Sequence, residues 1–170
     1  LSWGSPGIGT HGHLIGEMFA KRTGIKQTHI NYKGAAPAIV DLIGNQIQAT
    51  FTTYTTVSAF IKSGKAKAIA ITANKRLADQ PAIPTFAELG YPELSSTTWF
   101  SLSGPPGMSA GLVEKINMEV RRGFKTEAAV KQLAKEYIET LDWDAAALTT
   151  YMRSEIDRWS FWVKLTDGLR

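Results

Sequence analysis

Gly24, Gly44 and Gly64 each follow a short helical pattern, and a run of strand-forming residues follows each of them. This rhythm, over residues 1 to about 72, constrains the fold more than any other feature of the chain. A glycine just past the last apolar position of a helix sits where a left-handed cap is wanted. The first pattern covers residues 11–22, with Leu14, Ile15, Met18 and Phe19 on one face. The second covers 36–43, with Ile39, Leu42 and Ile43 inward, and the third covers 56–62, with Val57, Phe60 and Ile61 inward. Thr10 is the natural N-cap of the first helix, and Pro37 suits the first turn of the second. Strands are expected at Thr28–Asn31, 48–52 and 68–72. Alternation of this kind predicts an α/β fold, with a parallel or mostly parallel sheet and helices on its faces.

The turns that open the helices carry the functional signal. Ser5-Pro6-Gly7-Ile8-Gly9-Thr10 runs directly into the first helix. Its backbone N–H groups, with the helix dipole behind them, make a cradle for an anion such as a carboxylate or phosphate. The strand that should lead into this loop has almost no room. The junctions at 32–37 and 52–56 are expected at the same sheet edge, where open α/β sheets bind ligands. All three junctions are built from small residues with little charge, which suits a carboxylate held by N–H and hydroxyl groups, although small residues also simply make tight turns. Ala36 is a poor N-cap, so the helix behind it should leave N–H groups free.

Several chemistries find no positive sign. There is no Cys, which removes disulfides, thiol nucleophiles and thiolate metal sites. His11 and His13 stand two apart and do not share a helix face, and His29 stands alone on a strand, so structural roles and no metal are expected. Glu17, Asp41 and Glu88 lie away from the junctions, so no acid–base pair is expected there. The first loop lacks the ending of a P-loop, does not complete G-x-G-x-x-G, and is no nucleophile elbow. The chain is therefore read as non-enzymatic and without a cofactor. The net charge of +4 is scattered. Lys62, Lys65 and Lys67, and Arg121 with Arg122, lack the interleaved aromatics of a nucleic-acid platform, so no nucleic acid is expected as a partner. No apolar run reaches membrane-spanning length, and residues 1–4 do not read as a signal peptide.

Beyond residue 72 the pattern changes. Pro81, Pro84, Gly90 and Pro92 punctuate a surface excursion with one short helix expected at 85–89. Residues 97–103 look like a strand that stops at Gly104-Pro105-Pro106-Gly107, and a lobe boundary is placed near it. Ser109 and Thr126 can cap two helices. An extended piece at 137–141 leads to Asp142 and a long helix to about Thr166, which Gly168 can end. The apolar faces of these helices outnumber the strands available to cover them. At about 25 cal/mol per Å² of apolar surface, exposure would cost several kcal/mol. The faces must pack on one another, on strands lying elsewhere, or on another copy of the chain.

Taken in order, the segments resemble a known family. They are Gly7-Ile8-Gly9-Thr10 with His13-Leu14 and Glu17-Met18-Phe19; Asn31-Tyr32-Lys33-Gly34-Ala35-Ala36-Pro37-Ala38 with Asp41-Leu42; Gly64-Lys65 with Ala68-Ile69-Ala70; Pro84-Thr85 with Glu88 and Gly90; Trp99-Phe100; and Glu155 with Arg158-Trp159. The whole chain resembles the C-terminal part of the periplasmic solute receptors of tripartite tricarboxylate transporters, the Bug family. The resemblance implies a type II periplasmic-binding-protein-like fold that closes on a small carboxylated compound and delivers it to membrane transporter subunits. It implies one complete βα lobe over residues 1–97, and a hinge strand with the C-terminal helical part of the other lobe over 98–170. The N-terminal half of that other lobe would lie outside these 170 residues. Gln48 and Thr53 stand where family members usually carry Asp, and His11 where the residue is more often small.

The expected ligand is a small organic acid: a di- or tricarboxylate, an amino acid or an aromatic acid. Its carboxylate would meet Ser5, Gly7, Gly9 and Thr10, with His13 behind them, and Gly34, Ala35 and Ala36. Thr53 and Tyr54 would line the third side. The alternative is an effector-binding domain of a transcription regulator, with a similar bilobal architecture. A blander reading is a fragment that self-associates through exposed C-terminal helices.

Overall fold

A computed structural model of the chain describes residues 1–165; Gly168, expected to end the last helix, lies outside the described residues. The chain divides into two units. One is Leu1–Trp99 with the end of the final helix from Trp162, and the other is Phe100–Phe161.

The first unit is built on a three-stranded parallel sheet in the order β2-β1-β3. The strands are β1 (Ser2–Ser5), β2 (Thr28–Asn31) and β3 (Ala49–Thr50). Ser2 pairs with Thr28 and Ser5 with Asn31 on one side, and Trp3 pairs with Ala49 on the other. The short N-terminal segment, expected to have almost no room for a strand, is thus the central one. Parallel neighbours need crossovers, which α1 (His11–Thr23) and α2 (Ala35–Ile43) supply. With β2 and β3 flanking β1, right-handed crossovers put these helices on opposite faces of the sheet. α3 (Tyr54–Lys62) follows β3 and packs on α2.

Side-chain alternation assigns each face. Trp3 and Ser5, both fully buried, share one face. There α1 comes so close that a Cβ on Gly16 would lie 2.1 Å from the Trp3 ring, and one on Gly12 would lie 2.2 Å from the Phe51 carbonyl oxygen. On the other face Gly4 leaves space for Tyr32 and Ile47; a Cβ there would meet both at 2.8 Å. Leu14, Ile15 and Met18 complete the core beneath α1.

Cap predictions hold in part. Thr10 caps α1, and Gly24 ends it at φ 71°. Gly64 takes φ 72° after α3, but Gly44 sits at −77°, because Asn45 takes the left-handed turn at 56°. The strand expected at 68–72 is reduced to one parallel bridge, Ile71 with Thr85. The helix expected at 85–89 is a set of turns, and only Pro92–Leu94 forms a 3-10 turn. A reciprocal pair nevertheless orders this excursion. The Thr85 amide donates to Glu88 Oε2 at 2.8 Å, and the Glu88 amide donates to Thr85 Oγ1 at 3.2 Å. Arg76 Nε then donates to both Glu88 oxygens at 2.9 Å. Ile83, Phe86 and Leu94 are buried below it. Residues 97–103 form no strand; Phe100 and Leu102 are 85% and 67% exposed, and strand-forming residues without a paired neighbour have no ladder to join.

The second unit is helical. α4 (Ala110–Phe124) and α5 (Glu127–Lys135) are capped by Ser109 and Thr126, as expected. α6 (Ala145–Leu165) is capped by Asp144, whose Oδ1 accepts from the Ala147 amide at 2.7 Å. The extended piece expected at 137–141 is irregular and begins with Tyr137 at φ 55°. Neither α4 nor α5 has a fully buried residue.

Candidate functional site

Parallel strands deliver all three junctions to one edge. β1 ends at Ser5 beside Asn31 of β2, and Gly4 pairs with Thr50 of β3. The N-termini of α1, α2 and α3 therefore open at the same edge, and none of their first turns carries an acidic residue. Three partial positive dipole ends converge there without compensation. The 2-1-3 strand order places a topological switch point between β1 and β3.

The first loop is more self-contained than expected. Ser5 does not face outward: its hydroxyl lies 2.8 Å from His29 Nε2 and donates to the Gly7 carbonyl at 3.3 Å. The Gly7 amide donates back to Ser5 Oγ at 3.4 Å. The exposed Gly9, at φ 76°, has its amide committed to Nδ1 of His13 at 3.1 Å. The Thr10 hydroxyl donates to the Gly7 carbonyl at 2.6 Å and accepts from the His13 amide. The loop amide with no partner among the described residues is that of Ile8, which is 52% exposed.

The second junction is open. The Gly34 amide donates to the Pro6 carbonyl at 2.9 Å, tying this turn to the first loop. Gly34 is the N-cap of α2, at φ 113°, and supplies no side-chain cap. The amides of Ala35 and Ala36 have no partner among the described residues, and Pro37 behind them has no N–H to satisfy. Tyr32 braces the turn: its hydroxyl donates to Asp41 Oδ2 at 2.7 Å, and burial and then that carboxylate push its pKa up to about 12. Sequence reasoning had put Asp41 away from the junctions and did not see this strut.

The third junction begins earlier than expected, since α3 starts at Tyr54. Thr53 is its N-cap without a side-chain cap bond, and its hydroxyl lies 3.3 Å from that of Thr56. Tyr54 is half-buried beside it.

Beneath the first loop lies an arrangement that sequence reading scattered. His29, expected to stand alone, has its ring centroid 4.3 Å from that of His13 and 4.4 Å from that of Trp3. Glu17, one turn beyond His13, brings Oε1 to 4.0 Å from His13 Nε2. Burial lowers the pKa of His13 against the opposing pull of Glu17; burial and then His13 lower that of His29. Strand register brings them together: Trp3 and His29 are register partners on the face that α1 covers, a pairing the sequence alone does not give.

No helix among the described residues is long and apolar enough to cross a membrane. The sequence profile of the tripartite tricarboxylate transporter family receptors matches residues 1–167. Protein BugT of Bordetella pertussis is 33% identical over 159 residues, which cover 94% of this chain and 49% of BugT. A protein encoded in the clcB-clcD intergenic region of Pseudomonas knackmussii is 32% identical over 154 residues, 90% of this chain and 91% of that protein. Among solved structures, R. palustris Rpa4515 with adipate superposes with a TM-score of 0.87 at 26% identity, over 98% of this chain and 56% of its own. The periplasmic binding protein BugD gives a TM-score of 0.82 at 30% identity, over the same shares. The chain thus spans about half the length of BugT and of these two structures. With an α/β sheet edge of the binding-protein kind and a profile match along nearly its whole length, the chain belongs to the tripartite tricarboxylate transporter receptor family, a family of solute-binding receptors and not of enzymes.

Proposed function

We propose that this chain is the C-terminal part of a periplasmic receptor that captures a small carboxylated compound and hands it to tripartite transporter subunits in the membrane. The observation that carries this reading is the uncapped N-terminus of α2. Ala35 and Ala36 present unpartnered amides at the edge where three helix dipoles converge, next to the loop that Gly34 ties in place. One carboxylate fits two such amides without any cationic side chain. Thr53 and Tyr54 bound the third side of this edge. The adipate bound to Rpa4515 supports a dicarboxylate, with amino acids and aromatic acids as neighbouring classes. Hinge closure follows if the ligand also touches an opposing lobe, because contacts made only in the closed state shift the population toward it. The family match favours this receptor over an effector domain of a transcription regulator.

A thermal-shift and calorimetric screen tests the reading. Adipate, other dicarboxylates, aromatic acids and nucleotides would be titrated into this chain and into a chain extended to the length of BugT. Stabilisation by acids, stronger in the longer chain, is expected. Stabilisation by nucleotides alone would sink the reading.

A second reading has its own support. Leu112, Met118 and Phe124 of α4 and Val130 of α5 are each more than 40% exposed. These faces would drive self-association of the chain as it stands, which sedimentation at increasing concentration detects.

A further inference from the structure

We propose that His13, Glu17 and His29 form a binding site for a divalent transition-metal ion of the zinc class. Each offers one ligand atom, and these atoms lie within 4.8 Å of one another. His13 and Glu17 stand one helical turn apart on the same face of α1, the spacing that lets two side chains share one ion. His29 comes from β2 across the layer, with its ring against that of His13. Two imidazoles and a carboxylate make a nitrogen-rich set of three, matching zinc sites that keep a fourth position open. Bonds of about 2.0–2.2 Å require tetrahedral ligand atoms to stand about 3.3 Å apart. The cluster must therefore close by about an ångström and a half at most. Glu17, whose side chain is one-third exposed, has the freedom to do it.

The surroundings suit this use. Ser5 Oγ lies 2.8 Å from His29 Nε2. With the proton on Nε2 donated to Ser5, Nδ1 of His29 is left as the lone pair for an ion, the usual way a second partner fixes a metal-binding imidazole. His13 is poised differently. Its Nδ1 accepts from the Gly9 amide, so Nε2, the nitrogen nearest Glu17, carries the proton. Binding an ion through Nε2 moves that proton to Nδ1 and ends the bond to Gly9. Occupation of the site would therefore release the Gly9 amide into the first loop. By linkage, a ligand that takes the Gly9 amide would raise the affinity for the ion by the same factor. This coupling rests on the carboxylate reading above, whereas the ion site itself does not.

The experiment uses untagged protein in a buffer free of carboxylates. Zn²⁺ is titrated by calorimetry and Co²⁺ by its visible absorption, with amide NMR followed in parallel. One ion per chain is expected, with the intense Co²⁺ bands of low coordination and a large shift of the Gly9 amide resonance. His29→Gln and Glu17→Gln should each weaken binding by at least about tenfold, in line with losses seen even for secondary partners of metal ligands. His11→Gln should leave it unchanged. Glu17 is partly exposed, so its variant keeps the test open if His29→Gln fails to fold. Absence of saturable binding, or wild-type affinity in both variants, overturns the proposal. Because no carboxylate is present, neither outcome depends on the receptor reading.

Discussion

Gly16 of α1 lies directly against Trp3 of β1: a Cβ at Gly16 would stand 2.1 Å from Cη2 of the indole, whose residue is fully buried. The helix sits at this depth only because residue 16 has no side chain. Gly16→Ala must push the helix away or displace the indole, and overpacking of this kind costs about 1–3 kcal/mol. Gly111 of α4 is the contrast, since a Cβ there meets nothing within 4 Å. Gly111→Ala, in the first turn of α4, should stabilise by at most about 0.5 kcal/mol through helix propensity. Thermal unfolding followed by circular dichroism should show opposite shifts for the two variants, and equal shifts would refute the packing argument.

The acid limb of stability should follow the histidines beneath the first loop. Burial lowers the pKa of both His13 and His29 from the ordinary value of 6.5. The unfolded chain then binds more protons than the folded one, so stability rises with pH in this range. The contribution is whole above about 6.5 and is lost as pH falls from there toward the lowered folded values. Melting temperatures measured from pH 7.5 down to 5 should fall, and His29→Gln should flatten the decline. A slope unchanged in that variant would assign the effect elsewhere.

These cases mark what could be read from the sequence. The helix periods, the Thr10, Ser109 and Thr126 caps, and the convergence of three small-residue junctions follow from local chemistry, and the structure keeps them. What escaped were contacts set by register and by close approach. Nothing in the apolar pattern over 11–22 marks Gly12 and Gly16 as the points where the Phe51 carbonyl and Trp3 come against the helix. His29 read as isolated until the pairing of Trp3 with His29 set it beneath α1. The expected strands at 68–72 and 97–103 failed for a related reason: propensity names a segment that can pair, but the partner decides whether it does.

Asp142 should keep its charge to unusually low pH. Arg121 and then Lys125 hydrogen-bond to its carboxylate and hold its pKa at about 2, against an ordinary value of 3.8. A depressed carboxyl contributes stability above 3.8 that is lost as pH falls toward 2. The pair is exposed, so the effect on overall stability should be small and weaken with salt. Carbon-detected NMR titration should show the Asp142 carboxyl moving back toward its ordinary value in Arg121→Ala, and more so in Arg121→Ala with Lys125→Ala.

Tyr32→Phe tests the strut under the second junction. It removes the 2.7 Å bond to Asp41 while keeping the ring that packs on Gly4. Loss of a part-buried hydrogen bond to a carboxylate should cost about 1.5–3 kcal/mol, read as a lower urea midpoint with unchanged slope. Because the strut ties the loop to α2, the variant should also weaken acid binding more than its stability loss explains.

The sharpest test of the carboxylate clamp removes one donor and nothing else. Ala35 is the first residue of α2, the position where proline is best tolerated, because its φ is already helical and the lost N–H has no partner inside the helix. Gly34 before it has ψ 172°, an extended value that a following proline accepts. Ala35→Pro should therefore leave the melting temperature unchanged or slightly raised. A charge-assisted hydrogen bond to the ligand carboxylate would be lost, and affinity for a dicarboxylate should fall by about tenfold or more, the equivalent of about 1.5–3 kcal/mol. Calorimetric titration of wild type and variant with adipate reads the difference. Equal affinities in a folded variant would show that the α2 N-terminus does not hold the acid, and would move the site to the Ile8 amide of the first loop and the threonine hydroxyls of the third junction.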